Sequence, residues 1–185
     1  MLGFAMCGSY CTHKKSLEQL SKLSENNEIQ PIMSENVYSV STYFGKAEEL
    51  RDRVVGICGK SIIHTIVDAE PLGPKTPLDA LIICPCTGNT LAKIALGITD
   101  TAVTMAAKAH LRSDRPLVIA LASNDALSAN LKNIGTLLSR KCVFFVPMRQ
   151  DDPDKKPHSL VADFSLLPET LEWAIKGKQY QKIFI

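Results

Sequence analysis

Short, almost wholly apolar runs alternate with stretches of helical periodicity, and this alternation restricts the fold more than any other feature of the chain. Leu78 to Cys84 and Leu117 to Ala122 are apolar at nearly every position. A strand that alternates apolar and polar residues can leave one face in water, but a strand apolar throughout must be covered on both. Between these runs, Leu91, Ile94, Ala95 and Ile98 recur at i, i+3, i+4 and i+7, the spacing of a helix with one apolar face. Strands covered on both sides, alternating with such helices, predict a parallel sheet flanked by helices: a single doubly wound α/β domain over residues 1–185.

The remaining elements follow the same logic. Leu2 to Met6 reads as a first strand, with a helix after it that buries Leu17, Leu20 and Leu23. Ile29 to Met33 reads as a second strand, and Ser34-Glu35-Asn36 as a loop. Tyr43 to Val55 reads as a helix stopped by Gly56. Gly59 to Asp68 fits strand or helix equally. Thr101 to Leu111 reads as a helix, and Leu127, Leu131, Ile134 and Leu138 form another stripe. Val143 to Val146 reads as the last strand, and Leu166 to Lys176 as a closing helix after the polar stretch Gln150 to Ser159.

Charge and length exclude some functions. Lys plus Arg total 21 against 19 for Asp plus Glu, a balance of +2 that argues against nucleic acid as a partner. No apolar run approaches the roughly 20 residues of a membrane span. Cys7 to Ser16 turns polar before a leader's apolar region could form, so no secretory leader is expected. Of the six cysteines, Cys84 and Cys86 interrupt an apolar run, Cys58 follows an apolar helix and Cys142 introduces a strand, as buried free thiols do, and a chain of 185 residues needs no covalent staples. A reduced, cytoplasmic protein is expected. Zinc could use Cys7, Cys11 and His13, or Cys84 and Cys86, but no second C-x2-4-C pair completes a site, so no metal is expected.

In a sheet of this kind, ligands bind beyond the carboxyl ends of the strands. Four loops fall there: Cys7-Gly8-Ser9-Tyr10, Ser34-Glu35-Asn36, Pro85 to Thr90, and Ser123-Asn124-Asp125. All carry hydroxyl or amide side chains, which can cap helices or, with free N–H groups, hold a phosphate without lysine. The first strand is not followed by G-x-G-x-x-G, and no G-x-S-x-G elbow occurs. Gly59-Lys60-Ser61 matches only the end of a P-loop, since Val54 stands where its first glycine belongs.

Pro85-Cys86-Thr87-Gly88-Asn89-Thr90, continuing through Ala92-Lys93-Ile94-Ala95 to Gly97-Ile98-Thr99-Asp100, resembles the P-x-S/T-x-N-T-x-A-K-x-A-x-G-x-x-D signature of FMN-binding, cysteine-decarboxylase-like flavoproteins. Cys7-Gly8-Ser9 falls at that family's first G-S loop, and Ala120 to Asp125 where it has P-A-M-N. Leu121 and Ser123 replace the proline and methionine of that segment. The resemblance implies a Rossmann-like, flavodoxin-like fold, bound FMN and a homo-oligomer. Further blocks, among them Ala69 to Lys75, Met105 to Ala109, Asn124 to Leu127 and Gln150 to Pro157, resemble one branch of the family. Its members serve with an NADP-binding partner chain to make pyridine-2,6-dicarboxylate in sporulation.

The same resemblance implies residue roles. Gly8 and Ser9 would cradle the flavin phosphate, with Ser34 and Asn36 assisting. Thr87, Asn89 and Thr90 would face the ring or substrate, and Ser123 and Asn124 would close the other side. Asn89, Asn124 and His64 are the catalytic candidates, His64 lying near the family's catalytic histidine. A dicarboxylate needs a second anion site, for which Lys75, Arg149, Lys155 and Lys156 are candidates. His110 falls on an apolar helix face and reads as packed, and His158 lies in a polar loop. Three readings stay open: one component of a redox enzyme, a non-redox scaffold that activates the partner, and a stand-alone FMN-dependent decarboxylase.

Overall fold

The apolar runs become the centre of a seven-stranded sheet in the computed structural model, which describes residues 1–73 and 75–185. Pro74, inside the Ala69 to Lys75 block, lies outside the described residues. β1 (Leu2–Met6) pairs in parallel with β2 (Ile29–Met33) on one side and with β3 (Ala80–Cys86) on the other. β3 pairs in parallel with β4 (Leu117–Ser123), so the order begins 2-1-3-4 and the direction of winding reverses between β1 and β3. The far edge of β4 is shared. Its first half pairs in parallel with β5 (Val143–Phe145), and its last two residues pair antiparallel with β7 (Leu160–Ala162), which carries β6 (Met148–Arg149) on its outer side.

Alternation along the central strands builds two cores. Leu81 and Ile83 of β3, with Leu117, Ile119 and Leu121 of β4, face α5 (Gly88–Leu96), α6 (Ala102–Leu111) and α7 (Leu131–Leu138). Ile82, Cys84, Val118 and Ala120 face the opposite layer of α1 (His13–Ser24), α3 (Ala47–Cys58) and α8 (Leu167–Ile175). Both faces of these strands are fully buried, as their unbroken apolarity requires. The expected α/β class is therefore present, and the sheet is parallel as expected except where β7 and β6 join it antiparallel. No helix among the described residues is long and apolar enough to cross a membrane.

Several boundaries differ from the sequence expectations. Ser34-Glu35-Asn36 is not a loop: Ser34 is the N-cap of the short α2 (Glu35–Ser39), which buries Val37. The helix expected from Tyr43 begins at Ala47, because Thr42 to Gly45 closes a tight turn first. It runs through Gly56 and ends at Gly59, whose φ of 64° supplies the left-handed cap that a side chain resists. Gly59 to Asp68 resolves into a bridge at Ile63 and the start of α4 (Ile66–Ala69). Leu127 belongs to a turn before α7, with its N–H donating to the His158 carbonyl at 2.9 Å. Val143 to Phe145 is not the last strand. β6 and β7 follow it, two and three residues long, too short to leave a period in the sequence.

Candidate functional site

Three of the four expected loops meet at one end of the sheet. The turn after β1, the start of α5 after β3, and the turn after β4 line a cleft of about 780 Å³. It lies at the β1/β3 reversal, where the ends of neighbouring strands part and leave room for a ligand. Gly8, Ser9, Thr87, Asn89, Ser123 and Asn124 all line it. Asn89 and Asn124 are exposed, so their amides are available to a ligand, while Gly8, Ser9, Thr87 and Ser123 are half-buried along the walls.

α5 brings a ready set of donors. Thr87 is its N-cap, its Oγ1 accepting from the Thr90 N–H at 3.2 Å. The N–H groups of Gly88 and Asn89 precede the first intrahelical bond and find no acceptor among the described residues. They point the positive end of the helix at the cleft. Gly88 is also closely packed: a Cβ there would run into Ser123 Oγ, and into Asn130 Nδ2 and Asp125 Oδ1, both 2.6 Å away, so these side chains would have to shift.

The side chains that crowd Gly88 form a network. Ser123 Oγ donates to Asp125 Oδ1, Asn130 Nδ2 donates to Asp125 Oδ2 at 2.9 Å, and Asn133 Nδ2 donates to Asn130 Oδ1 at 2.8 Å. Asp125 thus holds Ser123 at the wall and braces the start of α5. Sequence reasoning gave it only a capping part, because its partners lie two residues before it and five after, and its load is the packing of Gly88.

On the outer rim, Lys156 Nζ pairs with Asp151 Oδ2 at 2.9 Å, and Ser159 and Lys156 together lower the Asp151 pKa. Lys156 is the one cation among the described residues lining the cleft. The lining also carries Tyr10, whose hydroxyl donates to the Asn36 carbonyl at 3.2 Å, and the aromatic pair Tyr43 and Phe44. The sequence reading gave the pair no part in a site and considered Cys11, an exposed thiol in the lining, only as a zinc ligand. A cleft-facing aromatic at a turn tip carries no periodic signal.

Other candidates lie elsewhere. Thr90 is buried behind Thr87, its Oγ1 donating to Cys7 Sγ at 3.4 Å. Ser34 and Asn36 lie beyond the cleft lining, Ser34 N donating to the Met6 carbonyl at 3.0 Å. His64 is also outside it, its ring stacked on Tyr38 at 3.6 Å between centroids. Arg149 pairs with Asp163 at 3.1 Å, while Lys75 and Lys155 are exposed and do not line the cleft. His110 is fully buried, its Nε2 2.9 Å from the Pro116 carbonyl, and burial lowers its pKa. His158 is exposed.

Cys84, cis-Pro85 and Cys86 are the last residues of β3 rather than a binding loop. Burial pushes Cys7 up to about 11 and Cys84 to about 12, and Cys86 well above the usual thiol value. These thiols stay protonated and inert at neutral pH. Among the described residues, no three His, Cys, Asp or Glu side chains gather as a metal site.

Comparison with known proteins agrees with this layout. A family model described as Flavoprotein matches residues 1–163. The B subunit of dipicolinate synthase from Bacillus subtilis (strain 168) is 44% identical over 185 residues, covering 100% of this chain and 92% of that protein. The crystal structure of the corresponding dipicolinate synthase B chain from Bacillus halodurans C superposes with a TM-score of 0.91 at 42% identity, covering 100% of this chain and 95% of that one. The FMN-dependent cysteine decarboxylase SpaF shares the fold at a TM-score of 0.68 and 22% identity, over 94% of this chain and 95% of that chain.

Proposed function

The chain belongs to the Flavoprotein family, and from that membership we propose that it works as the B subunit of a dipicolinate synthase. With an NADP-binding partner, the A subunit of dipicolinate synthase, it contributes to oxidising a dihydro- or 4-hydroxytetrahydrodipicolinate to pyridine-2,6-dicarboxylate during sporulation. It acts in the cytoplasm as a homo-oligomer. The likeness to the Bacillus subtilis protein over the whole chain carries this reading.

The cleft fits FMN in size and donor set. Its volume falls within the usual range for small-molecule sites, and its floor offers hydroxyls and free helix-terminal N–H groups. Gly8 and Ser9, with the Gly88 and Asn89 amides, would hold the phosphate. Thr87 and Ser123 would border the ring, and Asn89 and Asn124 would donate to a substrate carboxylate. Lys156, already paired, would steer the second carboxylate. Bound there, FMN supplies a two-electron acceptor, while the chain's own residues bind, orient and exclude water.

One observation favours a second reading. Among the described residues no histidine lines the cleft, and its two carboxylates are both engaged, Asp125 with Ser123 and Asn130 and Asp151 with Lys156, so neither an imidazole nor an unpaired carboxylate stands there as general base. A protein that holds ligand and activates its partner without redox chemistry needs none. A stand-alone decarboxylase that used His64 is disfavoured by the same geometry, since His64 stacks on Tyr38 away from the cleft.

The test begins with the purified chain titrated with FMN and followed at about 450 nm, where flavins absorb. Bound flavin, and synthase activity on adding the NADP-binding partner, support the redox reading. A colourless chain that still restores activity selects the non-redox reading. Ser9→Ala and Asn124→Ala should each weaken ligand binding by about tenfold, the loss of one or two hydrogen bonds. Full affinity and activity in both variants would overturn the site assignment.

A further inference from the structure

Tyr43 is 91% exposed and Phe44 51% exposed, although adjacent aromatic side chains gain most when their rings are covered. Their position is held by the backbone. Thr42 N donates to the Gly45 carbonyl at 3.0 Å and Gly45 N returns a bond to the Thr42 carbonyl at 3.1 Å. Phe44 N donates to Thr42 Oγ1 at 3.2 Å, and Ala47 N to Ser41 Oγ at 3.1 Å, which pins the turn to the start of α3. The two rings lie 4.0 Å apart between centroids.

Both rings line the cleft. Phe44 also borders the adjoining depression beside Val37 and Val40, so it has an apolar footing, while Tyr43 stands almost free. The cleft lining therefore combines hydroxyls and amides, the Lys156–Asp151 ion pair and an aromatic pair. That combination matches an anionic ligand carrying a flat π-system, with polar groups for the charge and aromatic faces for the ring.

We propose that Tyr43 and Phe44 form a ring-binding edge that stacks on the planar heteroaromatic part of the cleft's ligand and sets selectivity for flat, conjugated molecules. The inference rests on the ligand reading given above. The ring could belong to a flavin or to a pyridine dicarboxylate; the chemistry they share is a flat heteroaromatic face, and an aromatic contact to such a face contributes enough to change affinity several-fold to a hundredfold.

The full-length chain, Tyr43→Ser, Phe44→Ser and Tyr43→Phe are titrated with FMN, riboflavin and pyridine-2,6-dicarboxylate. Tyr43 is so exposed that its substitution leaves folding intact, which far-ultraviolet circular dichroism verifies. The serine variants should weaken a planar probe about tenfold, with Tyr43→Phe close to the parent. Equal losses for FMN and riboflavin, which share a ring and differ in the phosphate, place the edge on the flavin. A loss confined to the dicarboxylate places it on the substrate-type ring. Flavin binding by the parent with unchanged affinities in both serine variants overturns this proposal and leaves the ligand reading standing. A shift in oligomeric state without a change in affinity also overturns it, assigning the pair to an interface. A parent chain that binds none of the three probes overturns both.

Discussion

Thr90 Oγ1 donates to Cys7 Sγ at 3.4 Å and accepts from Thr87 Oγ1 at 3.0 Å, so a single buried hydroxyl joins the end of β1 to the cap of α5. The residues next to both segments line the cleft. Thr90→Val keeps the shape and removes the oxygen, leaving the Thr87 hydroxyl without its acceptor. Urea unfolding should show a loss of about 1 kcal/mol. An unchanged midpoint would mean that the walls are held by packing alone.

Gly88→Ala tests how tightly the cleft is braced. The added methyl must displace Ser123, Asn130 or Asp125, which are bonded to one another. Overpacking of this kind costs about 1–3 kcal/mol. A lower melting temperature and weaker ligand binding should appear together. A variant as stable as the parent would show that the Asp125 network moves freely.

Stability should fall as pH drops below about 6.5, the ordinary histidine value. Burial lowers the pKa of both His13 and His110, so in the acid range the unfolded chain binds protons that the folded chain refuses. Their contribution is complete above about 6.5 and declines as pH falls from there toward the folded-state values. Asp79, Asp100, Asp151 and Asp163 have lowered values and act below about 4, so the two windows separate. Urea midpoints measured from about pH 8 down to about pH 5 should decline, and less steeply in His110→Gln. A parallel decline in that variant would remove His110 from the account.

Thiol labelling should divide the six cysteines. Cys11 is exposed and should react first with a disulfide reagent. Cys7, Cys84 and Cys86 are buried and protonated, and should react only on unfolding. Peptide mapping after timed labelling reads the order, and early modification of Cys84 or Cys86 would contradict their burial.

The sheet centre was legible in the sequence because Leu78 to Cys84 and Leu117 to Ala122 cannot tolerate water on either face. Helix stops were harder. Gly56 and Gly59 are equivalent in composition, and only the backbone angle at Gly59 distinguishes the cap from the interior glycine. For the cleft, Gly8, Ser9, Thr87, Asn89, Ser123 and Asn124 were readable because strand ends and helix caps have residue preferences. His64 and Thr90 show the limit. Motif position says which loop a residue belongs to, but the stacking on Tyr38 and the bond to Cys7 decide where its side chain goes. Tyr43 and Phe44 were invisible for the opposite reason, since no pattern marks an aromatic pair at a turn.

The divided edge of β4 bears on how the chain avoids sticking to itself. An open strand edge is a template on which other chains can grow. Here the long strand β4 is occupied by β5 at Leu117 to Ile119 and by β7 at Ala122 and Ser123, and the strands outside it are only two or three residues long. At the opposite border, β2 carries Pro31, which has no N–H to offer a newcomer. The Ile63 N–H already donates to the Pro31 carbonyl, and the Ile63 carbonyl accepts from the Met33 N–H. The sheet therefore ends in stubs and occupied bonds on both sides. Little of the backbone ladder is left open at either border for a second copy of the chain to extend.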